Sequence, residues 1–225
     1  MKLLNIDEEL PEYFYIFVGQ GRNSSCEVNY HNYKLSRRII SSGISSIMTS
    51  PQYINDFING DIVYAPFVPN KTTLHVPSSH QLSVINLYGV EYILEYYRYH
   101  IHKEYPSRFS CVYAFGDYES CEKASKLYHW DLSNVRKFKL VKLGNDLDNC
   151  IKVVKCNMEI VTLMWRSDMA FFSQDERDKI SAAYWGGNGQ VATESQNIGD
   201  GLYTQTVSDV LYEYLIEGVL QEVEN

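Results

Sequence analysis

Residues 210–219 read Val-Leu-Tyr-Glu-Tyr-Leu-Ile-Glu-Gly-Val, and this stretch decides how the rest of the chain is interpreted. Tyr212 and Tyr214 occupy one side of a period-two alternation and Glu213 the other, which is typical of a β-strand. The strand follows residues 186–209, which contain five glycines and show no periodicity. An irregular stretch of that length inside a domain is usually functional or disordered. The sequence therefore predicts a late strand, carrying an acid, directly after a long functional loop.

The remainder of the chain alternates between short strand patterns and helix patterns. Capping residues predict four helix starts, and apolar runs bounded by Gly or Pro predict strands. The predicted helix starts are Ser78, Asp117, Asp148 and Ser173, with Asp148 opening the longest 3.6-residue pattern, through Trp165. The predicted strands are 13–18, 107–115 and 135–143. This mixture favours an α+β fold, and a length of 225 residues fits one domain, 1–225.

Cysteine and histidine usage argues against a metal centre. The five Cys are odd in number and form no CxxC pair, and the six His include no HExxH. A zinc site requires clustered ligands at fixed spacing, so we expect no metal. Scattered, unpaired Cys are typical of a reducing compartment. No stretch approaches the roughly 18 apolar residues of a membrane helix, so we expect a soluble, cytoplasmic protein without a membrane partner.

Charge is distributed unevenly along the chain. The formal net charge is −8, which opposes non-specific attraction to nucleic acid. Residues 123–142 nevertheless hold six Lys and Arg against Asp131 alone, while residues 209–225 hold five acids and no base. The basic segment could receive the phosphates of a nucleic acid or could pair with the acidic end of the chain. The sequence leaves both alternatives open.

Three separated segments carry a family resemblance. They are residues 105–115 (YPSRFSCVYAF), residues 183–187 (AYWGG) and residues 212–218 (YEYLIEG). In this order they resemble the ADP-ribosyltransferase-like fold, in particular its small bacterial and phage toxin-like members and the rifampin-modifying relatives. The resemblance implies two small antiparallel-type sheets that form a split β-sandwich flanked by helices. It also implies that NAD, used as a substrate, lies in the cleft between the sheets.

The resemblance assigns the chemistry to two residues. Glu213 matches the late-strand Glu that holds a hydroxyl of the nicotinamide ribose and stabilises the oxocarbenium-like transition state. Ser110 matches the Ser on the strand that supports this Glu. Without the resemblance, Glu213 reads equally well as a solvated carboxylate on an edge strand, with Glu217 as its rival on the same side, and Ser110 as a filler residue.

The implied cofactor contacts are distributed over several segments. The resemblance suggests NAD contacts from Gly19, Gln20, Arg108, Tyr113 and Tyr184. Each has an ordinary alternative that the sequence leaves open. Arg108 could simply pair with a neighbouring acid, and Tyr184 with Trp185 could lock a helix end into the core. The loop at 186–209 would select the acceptor.

Two departures from the family pattern bear on function. Val18 stands where the family has a His or Arg, and Leu211 stands where the arginine-modifying branch has Gln or Glu. We therefore expect an acceptor other than arginine: a nucleic acid or another protein group. The resemblance suggests a toxin of a bacterial or phage conflict system, with a neutralising antitoxin as partner. The alternative is a non-enzymatic interaction or inhibitor protein on a degenerate form of the fold.

Overall fold

The computed structural model describes residues 2–18, 38–40, 88–108, 110–142, 144–166, 173–187, 192–197, 201–206 and 210–223. Within these ranges the chain is an α+β protein with nine strands and four α-helices. The strands are β1 (Phe14–Phe17), β2 (Arg38–Ile40), β3 (Val112–Ala114), β4 (Val135–Leu140), β5 (Lys152–Asn157), β6 (Ala192–Asn197), β7 (Gly201–Thr206), β8 (Tyr212–Glu217) and β9 (Val219–Glu222). The helices are α1 (Tyr88–Ile101), α2 (Tyr118–Tyr128), α3 (Met158–Arg166) and α4 (Gln174–Trp185), with 3-10 turns at Leu132–Asn134 and Asn145–Cys150.

The strands form three small antiparallel sheets. The first has the order β1-β4-β9-β2, the second β3-β8-β5, and the third is the pair β6-β7. Two mutual backbone hydrogen bonds between Tyr15 and Phe115, both 2.8 Å, join the first sheet to the second. The α+β class is therefore confirmed, with several small antiparallel sheets.

β8 is the central strand of its sheet, so Glu213 does not lie on an edge strand. Val112 of β3 and Val153 of β5 flank Ile216 on its two sides. On β5, Cys156 is the cross-strand partner of Glu213. Residues that alternate along β8 therefore face two different layers of the protein.

Two helix starts predicted from capping residues are confirmed. The Asp117 side chain accepts a hydrogen bond from the Ser120 backbone N–H at the start of α2. Ser173 and Glu176 form the reciprocal capping box that opens α4, which ends at Gly186 as expected. The predicted start at Ser78 lies outside the described residues, although α1 follows it.

The predicted long helix from Asp148 to Trp165 is wrong over its first half. Residues Lys152–Asn157 form β5, and the helix begins only at Met158. Val153 and Val154 are both buried, at 2% and 0% exposure, so this stretch packs on two faces as a strand inside a sheet does. The β-branched residues of this stretch favour a strand. The helix was predicted because the same apolar residues also recur at helical spacing.

The segment 186–209 is not an irregular loop, because it contains β6 and β7. Their register runs from Ala192 opposite Thr206 to Asn197 opposite Gly201. The absence of apolar periodicity hid this hairpin, since ATESQN and GLYTQT carry almost no large apolar residue. The late strand is also divided, as Gly218 separates β8 from β9, which belongs to the other sheet.

The two larger sheets enclose an apolar core, and helices cover the outer face of the β3-β8-β5 sheet. The core between the sheets includes Phe14, Phe138 and Ile216, all at 0% exposure. A second cluster places Leu94 of α1 and Trp185 of α4 on Leu215 of β8. None of the helices in the described part of the chain has the length and apolar character needed to cross a bilayer.

Candidate functional site

Glu213 lies in the middle of the protein rather than at its surface. β8 directs this side chain to the helix-covered face of the sheet, and only 6% of the residue is exposed. The reading of Glu213 as a solvated edge-strand carboxylate is therefore wrong. A buried carboxylate is costly unless charged or hydrogen-bonding groups compensate it, so its partners decide what it does.

Arg108 is the main partner of Glu213. Its Nε and Nη2 donate to the two carboxylate oxygens of Glu91 on α1, at 2.7 and 2.9 Å. Its Nη1 donates to Glu213 Oε1 at 3.1 Å. The side chain of Arg108 is 5% exposed. One guanidinium thus holds two carboxylates from different elements, the partly buried Glu91 in the bidentate geometry that Arg favours and the buried Glu213 through a single bond.

Two tyrosines complete what we call the Glu213 cluster: Glu91, Arg108, Tyr113, Tyr184 and Glu213. The Tyr184 hydroxyl donates to Glu213 Oε1 at 2.7 Å and accepts from Arg108 Nη1. The Tyr113 hydroxyl donates to the backbone oxygen of Arg108 at 2.7 Å. Both rings lie beside the guanidinium, at 5.2 Å (Tyr113) and 5.1 Å (Tyr184) from ring centroid to Cζ. The four predicted residues Arg108, Tyr113, Tyr184 and Glu213 therefore meet in one place.

A second ionic group fixes the segment that carries Arg108. Glu95, one turn after Glu91 on α1, accepts from Arg98 Nε and Nη2 at 3.0 and 2.8 Å. It also accepts from the Ser107 hydroxyl at 2.7 Å and from the Arg108 backbone N–H at 3.2 Å. This carboxylate therefore anchors the turn before β3, which sets the position of the Arg108 side chain.

The Glu213 cluster carries a formal charge of −1, since two carboxylates face one guanidinium. Burial raises the pKa of Glu213, and Arg108 and the Tyr184 hydroxyl oppose that rise. Burial alone would lower the pKa of Arg108, but Glu91, Tyr113 and Tyr184 together raise it, so the pKa of Arg108 lies well above its usual value. Burial raises the pKa of Tyr184 and Tyr113 well above the usual range, so both stay protonated donors.

The two oxygens of Glu213 are used differently. Within the described part of the chain, the hydrogen bonds that this carboxylate accepts, from Arg108 and from Tyr184, both end on Oε1. Oε2 carries neither of them. The described contacts therefore hold the carboxylate firmly by one oxygen, Oε1.

The other predicted site residues lie outside this cluster or outside the described residues. Ser110 is partly buried in the turn before β3, where its N–H donates to the Ser107 backbone oxygen at 3.1 Å. Gly19 and Gln20 are not among the described residues. Val18, where the family pattern has His or Arg, is 3% exposed and packs in the apolar core between the sheets.

The ordinary alternatives for Arg108, Tyr184 and Trp185 describe their contacts well. Arg108 pairs with acids, as the alternative suggested. Trp185 is fully buried and donates from Nε1 to the Leu94 backbone oxygen at 2.9 Å, which locks the end of α4 onto α1. Tyr184 is also fully buried. The NAD contacts expected of Arg108, Tyr113 and Tyr184 stay predictions.

Glu91 is the functional candidate that the sequence analysis missed. On α1, Leu94 is fully buried while Tyr96 is 47% exposed. The available signal was the pair Glu91 and Glu95. Acids four residues apart on a helix repel each other, so such a pair indicates nearby cations that compensate it.

The comparison with protein families gives one match. A family model described as protein of unknown function (DUF2441) matches residues 5–223. The match includes every member of the Glu213 cluster and both larger sheets. No curated protein matches the chain.

Proposed function

The chain belongs to the DUF2441 family of proteins of unknown function, and from the chemistry of the Glu213 cluster we propose that it is an NAD-dependent ADP-ribosyltransferase. The observation that carries this proposal is a buried carboxylate that Arg108 and Tyr184, among the described residues, both hold through Oε1. In the proposed complex, Oε2 accepts a hydrogen bond from a hydroxyl of the nicotinamide ribose.

The charge of the cluster supports this chemistry. Cleavage of the nicotinamide–ribose bond builds positive charge on the ribose, as in other oxocarbenium-like transition states. A fixed negative charge in a poorly hydrated site stabilises such a cation far more than it would in water. Two carboxylates against one guanidinium provide that charge, and Arg108 fixes its position. Arg108 is then a positioning residue, and Glu213 is the catalytic one.

The fold agrees with the proposal at a coarse level. Two small antiparallel sheets joined at Tyr15 and Phe115 suit a split β-sandwich. Glu213, however, faces the helices, and an apolar core fills the space between the sheets, so the NAD of this proposal lies under the helices and not between the sheets as the resemblance implied. The hairpin β6–β7 directly precedes β8, so it is a candidate for acceptor selection. The acceptor would be a nucleic acid or a protein, and the biological role that of a toxin controlled by an antitoxin.

One observation favours the second candidate, a non-enzymatic interaction protein on the same fold. Val18 serves core packing, so position 18 offers no polar contact to a nicotinamide group. In addition, the Arg108 guanidinium already donates to Glu91, Glu213 and Tyr184. A cluster whose side chains already bond one another can also be a purely structural core.

Nicotinamide release from NAD by the purified protein distinguishes the two candidates. We expect release by the wild type and a loss of at least about 100-fold in Glu213→Gln, because removing a single electrostatic stabiliser costs about that much. Glu217→Gln is the matched control, as Glu217 lies on the same strand and forms its own ion pair, with the partly buried Lys152 at 3.6 Å. Equal activity of wild type and Glu213→Gln would support the interaction protein instead.

Expression in bacteria tests the biological side of the proposal. The wild type should arrest growth and Glu213→Gln should not, while both proteins accumulate to similar levels. Harmless expression of an enzymatically active wild type would remove the toxin role and leave the enzyme proposal in place.

A further inference from the structure

A second polar cluster lies next to the first and is used by none of the chemistry above. We call it the Tyr128 cluster: Tyr128 at the end of α2, with Glu159 and Thr162 on the first turns of α3. The Tyr128 hydroxyl donates to Glu159 Oε1 at 2.7 Å and lies 2.7 Å from Thr162 Oγ1. Thr162 is buried, whereas Tyr128 and Glu159 are only partly buried. The cluster is therefore anchored in the protein and reachable from solvent.

Backbone contacts place Glu159 beside the end of β8 that carries Glu213. Cys156 of β5 is the partner of Glu213, and α3 begins two residues later. The Met158 N–H donates to the Leu211 backbone oxygen at 2.8 Å, two residues before Glu213. The Glu159 N–H donates to Asn157 Oδ1 at 3.0 Å, which fixes the first turn of α3 at this point.

Both clusters lie on the helix-covered face of the same sheet. Leu215 lies on the same face of β8 as Glu213, and Leu211 directly precedes the strand, two residues before Glu213. Leu211 belongs to the apolar group against which Tyr128 packs, and Leu215 to the group that contains Tyr184. Glu213 thus has the Tyr184 side on one flank and the Tyr128 side on the other. Burial is the main cause that raises the pKa of Tyr128, and the charge of Glu213 adds to the rise.

We propose that Glu159 is the general base that activates the acceptor, held in place by Tyr128 and Thr162. The inference rests on the proposed function, because it assigns the acceptor side of the same reaction. Glu213 is too deeply buried to meet a large acceptor, whereas the partly buried Glu159 can. The hydrogen bond from Tyr128 ends on Oε1 of Glu159. The bonds from Arg108 and Tyr184 to Glu213 end on one carboxylate oxygen in the same way.

The proposed step balances as follows. The bond between ribose C1′ and the nicotinamide nitrogen of NAD breaks, and its electron pair leaves with nicotinamide, which becomes neutral. A lone pair of the acceptor's O–H or N–H group forms the new bond to C1′. The proton that the acceptor loses passes to the Glu159 carboxylate and then to solvent. No oxidant or reductant is required.

The test separates acceptor activation from cleavage of NAD. NAD labelled in its adenylate part is incubated with the full chain and with RNA and soluble protein from a bacterial extract. Labelled acceptor and released nicotinamide are measured side by side. In Glu159→Gln we expect labelled acceptor to fall at least about 100-fold, the usual contribution of a general base. Nicotinamide release should stay within about threefold, because water can still trap the ribosyl cation.

Two further variants keep the result interpretable. Tyr128→Phe retains the Glu159 charge and removes the bond that orients it, so it should lower the ratio of transfer to release by a smaller factor. Tyr128 is a positioning residue in this account. The ratio of transfer to nicotinamide release is the measured quantity, because a general loss of folding lowers both activities and leaves their ratio unchanged. Glu119→Gln is the control, since Glu119 is an exposed carboxylate on α2 paired with Lys123 at 3.6 Å.

The outcomes are distinct. A fall of transfer and release by the same factor in Glu159→Gln overturns the inference, because Glu159 would then act only through the fold. Nicotinamide release by the wild type without any labelled acceptor also overturns it, and leaves the NAD-cleaving site intact. A wild type that neither releases nicotinamide nor labels an acceptor overturns the proposed function itself, and this inference with it.

Discussion

The two faces of the β3-β8-β5 sheet are built on the same strand but stabilised differently. On one face, Tyr214 and Ile216 pack into an apolar core with Val153. On the other face, Glu213 binds Arg108 and Tyr184 under the helices. Stability on the first face depends on filled volume, whereas on the second face it depends on a balance of buried charges.

The difference teaches where function lies in this protein. Apolar residues of the right size could replace a buried ion pair at equal or greater stability, so a charged cluster in a core is poor evidence of stabilisation. The Glu213 cluster even leaves one carboxylate uncompensated. In the proposed function, the positive charge that develops on the ribose of NAD balances this carboxylate.

Replacing Arg108 should produce the largest effect on stability. Arg108→Met removes the cation that binds both the buried Glu213 and the largely buried Glu91. We expect a loss of about 3–5 kcal/mol in the free energy of unfolding, measured by urea denaturation. The double variant Arg108→Met with Glu213→Gln should recover part of this loss. Lys123→Met, at an exposed ion pair on α2, should change stability by less than about 1 kcal/mol.

A loss no greater than that of Lys123→Met would show that the cluster is not balanced by Arg108. The contrast between the two faces would then fail, since the charged face would tolerate an unpaired carboxylate.

On the apolar face, removing volume should cost less and should not affect chemistry. Ile216→Ala empties a fully buried position between β3 and β5, and we expect a loss of about 2–4 kcal/mol. The loss should be the same at pH 5 and pH 8, because no titrating group is removed. At a temperature where the variant is folded, its rate of nicotinamide release should match that of the wild type. A large drop in this rate would show that packing on the apolar face affects the chemistry on the charged face.

The smallest expected effect is the direction in which pH changes the stability contributed by Glu213. The pKa of Glu213 is raised in the folded state above its ordinary value of 4.5, chiefly by burial. The stability from the protonated carboxyl is therefore fully present below pH 4.5 and is lost as pH rises through the folded-state pKa. Urea unfolding of wild type and Glu213→Gln from pH 4 to 7 should show the wild type losing stability relative to the variant. A relative gain by the wild type would contradict the assigned cause.

Sequence reasoning succeeded where a local signal decides the structure. Ser173 with Glu176, and Asp117, mark helix starts through side-chain bonds to backbone N–H groups one turn away. The alternation in residues 212–217 is likewise a local signal, and it predicts β8. By contrast, residues 152–157 carry an apolar spacing that fits a helix. Their pairing with β8, which is a tertiary contact, makes them a strand.

The site was predicted in part because its residues come from quoted motifs. Arg108, Tyr113, Tyr184 and Glu213 were each singled out, although no local pattern indicates that they contact one another. Glu91 was not found, because its role depends on a contact 17 positions along the chain. Burial of a charge is likewise a tertiary property, so the sequence alone could not exclude a solvated Glu213.

The central claim is that Glu213 Oε2 is the contact point for the ribose of NAD. A crystal structure of the protein with NAD tests it most directly. We predict the nicotinamide ribose beside β8, with one of its hydroxyl oxygens within about 3 Å of Glu213 Oε2, and Arg108 still bound to Oε1. NAD bound elsewhere, or a Glu213 carboxylate that makes no contact with bound NAD, would contradict the account.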